Sequence, residues 1–436
     1  MRKFATAFLL LFLTASAGMA QVRAPSVTRL GNGLTVIMQE DHSIDLIGIE
    51  VWVKAGIANE TADNNGISHL VEHLLFAGTE KRQAGDMDRE IESVGATLDA
   101  YTGVDYMHFG ATICSRYLNK SLDIFADAIN NSQFHEDDLE RERLVILDEL
   151  ARKQSSIRLV ARSLLAQKIY GPHPYSLTLE GTAANVKNIS RNDLLAYYRE
   201  HYTPTNMALV LVGDFDPSAA LAEIKKLFQS APREYKTNPR PEIPPITKQI
   251  SESVKASLDD DYLAIGFLGP DSSQSEDVCA LDVLMSYLGQ GNRGWIFEEL
   301  KTKFKLVDDA YVDFVTCKDK GLISIIVSTT PDKQAKVQEV ILAKLEQIGS
   351  KGMSGYELEN AKRSVLGQIA YERETVSGRA NAFGFYFAVS DVSFAVKYQA
   401  CISSLTAEAV RQTAKKYLIA DSAVILRLEP SREGSK

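Results

Sequence analysis

Apolar residues alternate with polar or small residues in several short stretches of the chain, a pattern that predicts β-strands. Within Leu46–Lys54, for example, Ile47, Ile49, Val51 and Val53 occupy every second position. The strand candidates are Leu34–Asp41, Leu46–Lys54, Met207–Phe215, Tyr262–Leu268, Gly321–Thr329 and Ala423–Leu428. Longer stretches with helical spacing lie between them, and those of the first part are Gly66–Phe76, Met87–Val94, Leu118–Asn130, Asp137–Lys153 and Arg191–His201.

These candidates fall on both sides of a proline-rich stretch at residues 231–250. The prolines in it are Pro232, Pro239, Pro241, Pro244 and Pro245, a density that predicts an extended connector.

The two sides also resemble each other. Leu139 and Leu358 each lie between two acidic residues, and each is followed by an aliphatic pair at the same number of residues along the chain. Ser190 and Thr406 likewise each precede a predicted helix. This similarity favours duplication of a unit of about 215 residues.

We therefore predict an α+β fold with two homologous halves, each a mostly antiparallel sheet packed with several helices. The first half is expected to span residues 21–230 and the second residues 251–436, with residues 231–250 as the connector.

The first twenty residues have the pattern of a secretory signal peptide. Arg2 and Lys3 form a short basic start, an apolar stretch follows from Phe4 to Leu13, and small residues precede Gln21. The apolar stretch is about half of the roughly 20 residues that a transmembrane helix needs. We expect residues 1–20 to be removed and the mature protein to be exported, to the periplasm, without inserting into a membrane.

Charge and cysteine content limit the possible partners and the compartment. With 48 Lys and Arg against 57 Asp and Glu, the chain carries a net charge of −9, which argues against nucleic acid as a partner. Four scattered cysteines, Cys114, Cys279, Cys317 and Cys401, are too few for a disulfide framework. We expect them to behave as buried apolar side chains, with one disulfide of undetermined pairing left open.

The chemically most informative segment is Ser68–Phe76, which contains His69, Glu72 and His73. On a helix the two histidines lie one turn apart on the same face and can bind one metal ion, while Glu72 lies beside them. This HxxEH order is the reverse of the HExxH helix of zinc peptidases. The alternative is an amphipathic helix with capped or exposed histidines, which does not account for two histidines flanking a glutamate.

A catalytic zinc requires a third protein ligand and an open position for water. The predicted helix Asp137–Lys153 presents Glu142 and Glu149 two turns apart on one face. Taken alone, such a pair is more typical of a solvated helix face. The corresponding residues of the second half are Ala361 and Gln368, so only the first half is able to carry the site.

The chain resembles the pitrilysin/insulinase family of inverted-motif zinc peptidases over essentially its whole predicted mature length. The likeness is greatest to the branch of short chains that includes mitochondrial processing peptidase subunits and many bacterial members. It rests on Gly66–Thr79, Gly95–Thr102, Glu142–Glu149, His173–Tyr175, Tyr202–Met207 and Val212–Phe215.

The resemblance implies a role for each residue of the candidate site. His69, His73 and Glu149 would be the ligands of one zinc ion, Glu72 the general base, and Glu142 a residue that supports the ligands from behind. Such enzymes align an unfolded peptide along an edge strand, which implies that Asp99, Ala100, Tyr101 and Thr102 bind substrate. By itself, the segment Gly95–Thr102 is more typical of an ordinary core strand.

The second half departs from the family pattern at two positions. Complete members have an Arg and, seven residues later, a Tyr that contact substrate, whereas this chain has Lys301 and Asp308. Lysine lacks the planar guanidinium fork, and aspartate is negative where a phenol would donate a hydrogen bond. Tyr311 is able to substitute only if the local register shifts.

The preferred interpretation is a zinc endopeptidase that hydrolyses unfolded peptides as the metal-bearing subunit of a clamshell dimer. The departure favours a heterodimer, in which a homologous partner carries the Arg/Tyr pair, with a homodimer as the next choice. Two alternatives remain: a non-catalytic or assembly subunit of a processing-peptidase-like complex, and a metal carrier without hydrolysis. The complete set of His69, Glu72, His73 and Glu149 argues against the first alternative.

Overall fold

The computed structural model describes residues 24–153, 156–229, 235–236, 239–256, 258, 260–289 and 294–431. The predicted signal peptide lies outside these residues, as do residues 231–234 and 237–238 of the predicted connector. No helix in the described ranges is long and apolar enough to cross a membrane.

The described residues form two sheets, one on each side of the connector. The strands of the first sheet are β1 (Ser26–Arg29), β2 (Thr35–Glu40), β3 (Leu46–Val53), β4 (Leu98–Thr102), β5 (Met107–Cys114) and β6 (Met207–Gly213). Those of the second are β7 (Ile250–Ala256), β8 (Tyr262–Leu268), β9 (Asp309–Val315), β10 (Leu322–Ser328) and β11 (Val424–Pro430).

The two sheets share one topology. Their strand orders are β1-β2-β6-β3-β5-β4 and β7-β11-β8-β10-β9. In each sheet one pair is parallel, β2 with β6 and β7 with β11. The next three pairings in each sheet are antiparallel. The prediction of an α+β fold with two similar, mostly antiparallel halves is therefore confirmed.

Helices pack against both sheets. Those of the first part of the chain are α1 (Ile67–Leu74), α2 (Asp86–Glu92), α3 (Leu118–Asn131), α4 (Glu136–Lys153), α5 (Ile157–Tyr170), α6 (Ala183–Asn188), α7 (Arg191–His201) and α8 (Pro217–Leu227). Those of the second part are α9 (Ser275–Leu288), α10 (Pro331–Lys351), α11 (Gly355–Arg373), α12 (Val376–Val389), α13 (Val392–Ser404) and α14 (Ala407–Tyr417). Ser190 and Thr406 each cap a helix N-terminus, those of α7 and α14.

One helix from each half packs on the sheet of the other half. Leu165 and Ile169 of α5 lie in one apolar cluster with residues of the second sheet. Reciprocally, α12 packs on the first sheet so closely that a Cβ atom at Gly384 would lie 1.9 Å from Nε1 of Trp52. Because each half buries a helix of the other, the halves share apolar cores and are held together as one structure.

A disulfide joins Cys279 of α9 to Cys401 of α13. The one disulfide that the sequence left open is therefore formed by this pair, because the packing of the two helices brings their sulfurs together. Among the other two, Cys317 is buried and Cys114 is half-buried.

Candidate metal centre and active site

The helix α1 is fixed in the core of the first half by its apolar face. Ile67, Leu70, Val71 and Leu74 are at most 2% exposed. Because these residues anchor one side of a short helix, the side that carries His69 and His73 has a defined orientation.

The N-terminus of α1 is held by a buried carboxylate. Glu60 accepts hydrogen bonds from the backbone N–H groups of Gly66 and Ser68, at 2.8 and 2.9 Å, and from the side-chain amide of Asn65 at 2.7 Å. Gly66 has φ 102° and packs so tightly that a Cβ atom there would lie 2.8 Å from the carbonyl oxygen of Glu180. The carboxyl group of Glu60 therefore satisfies helix N–H groups that would otherwise be unpaired.

His69, His73 and Glu149 converge on one point between α1 and α4. Each offers a ligand atom, and these atoms all lie within 4.8 Å of one another. Nε2 of His69 lies 3.7 Å from Oε2 of Glu149, and the imidazole centroids are 4.7 Å apart. Within the described residues, no other group of three His, Cys, Asp or Glu side chains meets this criterion.

The surroundings shift the pKa values of His69 and His73 in opposite directions. Burial, together with the nearby positive charges of His73 and Lys153, lowers the pKa of His69 to about 3. Burial also disfavours the charged form of His73, but its hydrogen bond to Glu142 and the charges of Glu72 and Glu149 outweigh burial and raise its pKa. His69 is thus neutral at neutral pH, the form that coordinates a metal.

Glu142 lies behind His73. Its Oε2 atom is 3.2 Å from Nδ1 of His73, and this hydrogen bond lowers the pKa of Glu142. A proton on Nδ1 that is donated to Glu142 leaves the lone pair of Nε2 for a metal. Glu142 and Glu149 therefore act from the same helix on different atoms of the site.

Glu72 is held by the last residue of β4. The hydroxyl of Thr102 donates to Oε2 of Glu72. Burial raises the pKa of Glu72, and the hydrogen bond from Thr102 offsets only part of this effect. A carboxylate with a raised pKa, fixed beside a metal site, is suited to accept and release a proton.

The strand β4 lies at the edge of its sheet. Among the described residues it pairs only with β5, so its other edge is open. Of the four predicted substrate-binding residues, Asp99 and Tyr101 are exposed, Ala100 is half-buried, and Thr102 is buried against Glu72. The strand begins at Leu98 rather than at Gly95, since Gly95 has φ 76° and belongs to the preceding turn.

Lys301 and Asp308, the two positions at which the chain departs from the family pattern, lie in the second half. Lys301 is an exposed residue of a helical segment, Ile296–Lys303, and Asp308 is exposed just before β9. Tyr311 pairs with Ile326 of β10 in an unbroken register. Tyr311 thus lies on β9 itself, three residues after Asp308.

The donor set fits zinc. Two imidazoles and one carboxylate form the three-ligand set of hydrolytic zinc sites, which leaves a fourth position open. Nε2 of His69 and Oε2 of Glu149 lie 3.7 Å apart, which is too far for a hydrogen bond. The two atoms therefore do not satisfy each other, which agrees with a metal ion as their shared partner.

Two supporting residues were not predicted from the sequence in these roles. Glu60 precedes α1 without any recognisable motif, and Thr102 was expected to contact substrate rather than to hold Glu72. A carboxylate shortly before a helix is a weak signal, because the sequence does not show that the chain folds back onto that helix.

Two family profiles match consecutive parts of the chain. The profile of insulinase, peptidase family M16, matches residues 35–183. That of the peptidase M16 inactive domain matches residues 188–365. The chain belongs to the insulinase family, M16. The resemblance inferred from the HxxEH segment and its neighbouring motifs is thereby confirmed.

Relatives within the M16 family include named zinc proteases. The chain is 24% identical over 355 residues to the uncharacterized zinc protease YmxG of Bacillus subtilis, which covers 81% of this chain and 85% of that protein. It is 32% identical over 279 residues to the probable mitochondrial-processing peptidase subunit beta of Arabidopsis thaliana, covering 61% of this chain and 51% of that protein. A protease from Helicobacter pylori has a similar crystal structure, with a TM-score of 0.87, 25% identity and coverage of 93% and 99% of the two chains.

Proposed function

We propose that this M16 protein is a zinc-dependent endopeptidase that hydrolyses unfolded peptides. One observation carries the proposal: the ligand atoms of His69, His73 and Glu149 lie within 4.8 Å of one another, and the two histidines share helix α1 with Glu72. When bound, zinc lowers the pKa of a water molecule and polarises the scissile carbonyl group.

Each residue of the candidate site has a distinct task in this reaction. Glu72 accepts the proton of the attacking water and passes it to the leaving amine, since its pKa is raised by burial. Thr102 fixes the carboxylate of Glu72 through its hydroxyl, and Glu142 fixes the ring of His73. Both contacts are made by groups already in position, so little reorganisation is needed during the reaction.

The open edge of β4 supports unfolded peptides as substrates. A peptide that pairs with β4 would use main-chain hydrogen bonds, which tolerate many side chains. Because Thr102 ends this strand and contacts Glu72, a peptide paired along β4 would extend towards the general base.

A test of this proposal uses zinc removal. The mature chain, in its active assembly, is assayed against a mixed library of unstructured peptides by mass spectrometry, then treated with a chelator, and then given zinc again. We expect hydrolysis to disappear with the metal and to return with it. Unchanged hydrolysis by the metal-free protein would contradict the proposal.

We further propose that the active species is a heterodimer, with Lys301 and Asp308 as the supporting observation. A homologous partner would supply the Arg/Tyr contacts that this chain lacks, and the Arabidopsis relative is itself named as a subunit. Addition of such a partner should raise turnover. Full turnover by the chain alone, unaltered by Lys301→Ala, would count against the heterodimer, whereas absent hydrolysis with zinc and partner present would favour a non-catalytic subunit.

Export to the periplasm is part of the proposal. The sequence of residues 1–20 supports it, and so does the disulfide between Cys279 and Cys401, because disulfides persist in oxidising compartments.

A further inference from the structure

A cavity of about 860 Å³ lies where the two halves meet the connector. Its wall includes Arg29 at the end of β1, Lys54 just after β3, and Lys318 in the connection between β9 and β10. The cationic side chains of the wall are Arg29, Lys54, Arg240, Lys318 and Lys320, and the carboxylates are Glu242, Asp271 and Asp319. The cavity is thus locally positive in a protein whose net charge is −9.

Ion pairing neutralises only part of this charge. Nη1 of Arg240 lies 2.6 Å from Oδ2 of Asp319 and 3.0 Å from Oδ1 of the buried Asp105. By contrast, Arg29, Lys54 and Lys318 form no ion pair with any residue in the described part of the chain. Lys320 of the wall likewise forms none, so four of the five cationic side chains line the cavity without an ion pair in the described part of the chain.

Among Arg29, Lys54 and Lys318, Lys54 is the most constrained. It is half-buried, its ammonium lies 4.0 Å from the ring centroid of Phe387, and its backbone N–H donates to the carbonyl of Asn206 at 3.0 Å. Burial, followed by the charges of Lys318 and Arg29, lowers the pKa of Lys54. The three cations thus repel one another across the cavity, an arrangement that a bound anion would relieve.

We propose that this cavity binds a small oxyanion with two or more negative charges, such as a phosphate or a dicarboxylate. Its volume is in the range of small-molecule sites, and Arg29 offers the planar fork that suits an oxyanion. The hydroxyl of Tyr235, which accepts from Nδ2 of Asn59 at 2.8 Å, keeps a proton to donate.

The anion would bridge the two halves. Arg29 and Lys54 belong to the first half and Lys318 to the second, so one ligand would contact both. The backbone N–H of Lys318 donates to Asp105 at 2.8 Å, which holds this loop against the first half even without a ligand. Binding should therefore stabilise the folded protein without requiring a large rearrangement.

Isothermal titration of the zinc-loaded mature chain with inorganic phosphate, and separately with succinate, tests the site. We expect saturable binding of about one anion per chain by at least one of the two, accompanied by a rise in melting temperature. The variants Arg29→Gln and Lys318→Gln should each weaken binding by about tenfold, since each removes one charge-assisted contact. Both side chains are exposed, so the fold of the variants should be retained.

The matched control is Lys187→Gln, which removes an exposed lysine of α6 outside the cavity. Phosphate-only binding would identify a phosphate ligand, and binding of both anions a general oxyanion site. Absence of saturable binding of either anion, or an equal loss in Lys187→Gln and Lys318→Gln, would overturn the proposal. The outcome is independent of peptidase activity.

Discussion

The imidazole of His73 and the carboxylate of Glu142 lie 3.2 Å apart, with Nδ1 facing Oε2. This contact ties the HxxEH helix to the helix that also carries Glu149, so α4 both completes the metal site and orients one of its ligands. The two glutamates should therefore give different phenotypes when they are replaced.

Replacement of Glu142 by alanine should weaken zinc binding without eliminating it. Loss of the partner that orients a metal-bound histidine reduces metal affinity by about 10- to 100-fold. Competition with a zinc chelator measures the affinity. Asp148→Asn is the control, because Asp148 is an exposed residue of the same helix that pairs with Arg152. Equal affinities of Glu142→Ala and the wild type would remove Glu142 from this role.

The variants His69→Ala and Glu149→Ala should lose tight zinc binding, since two ligands are too few to hold the ion. We expect about one zinc per wild-type chain and a strongly reduced content in each variant, measured by elemental analysis of the purified proteins. An undiminished zinc content in Glu149→Ala would exclude that residue from the ligand set.

The local elements of the site could be predicted from the sequence, whereas the contacts between elements could not. The helical spacing of Leu70, Leu74 and the two histidines defines α1 within a few residues. The duplication also emerged from sequence, since Leu139 and Leu358 occupy the same place in α4 and α11. Both inferences depend on residues that are close together in the chain or repeated in it.

The features that were missed depend on tertiary packing. The strand β5 carries His108, Gly110 and Thr112 on one face, which weakens its apolar pattern. The packing of α5 on the sheet of the other half has no local signature. The pairing of Cys279 with Cys401 likewise follows from the contact between α9 and α13, across 122 residues of sequence.

Removal of this disulfide should destabilise the protein. A double variant, Cys279→Ser and Cys401→Ser, should lower the free energy of unfolding by about 2–4 kcal/mol. Denaturant unfolding with and without a reducing agent measures the effect. The reducing agent should destabilise the wild type and leave the double variant unchanged, and a wild type that is insensitive to reduction would contradict the assignment.

Glu50 should make stability fall as the pH rises. Burial raises its pKa to about 8, with a smaller contribution from Asp99, which lies across Gly110 on the same face of the sheet. Between about pH 5 and pH 8 the folded state keeps this carboxyl protonated while the unfolded chain ionises it, so unfolding releases a proton and becomes easier as the pH rises.

The variant Glu50→Gln should remove this dependence. Glutamine still accepts the hydrogen bond that Trp52 donates to Glu50 at 2.6 Å. The stability gain over the wild type should be near zero at pH 5 and grow to the order of 3 kcal/mol by pH 8. Other groups, such as Asp282 with its pKa raised to about 7, are common to both proteins and cancel in the difference. A difference that does not vary with pH would show that Glu50 is ionised in the folded state.

The most direct test of the proposed mechanism is the rate of peptide hydrolysis per bound zinc in Glu72→Gln, compared with the wild type in the same assembly. Glutamine is nearly isosteric with glutamate but cannot accept the proton of the attacking water. The account predicts an unchanged zinc content and hydrolysis reduced about a hundredfold or more, the scale of general acid–base catalysis. Near-normal hydrolysis per zinc in Glu72→Gln would contradict it.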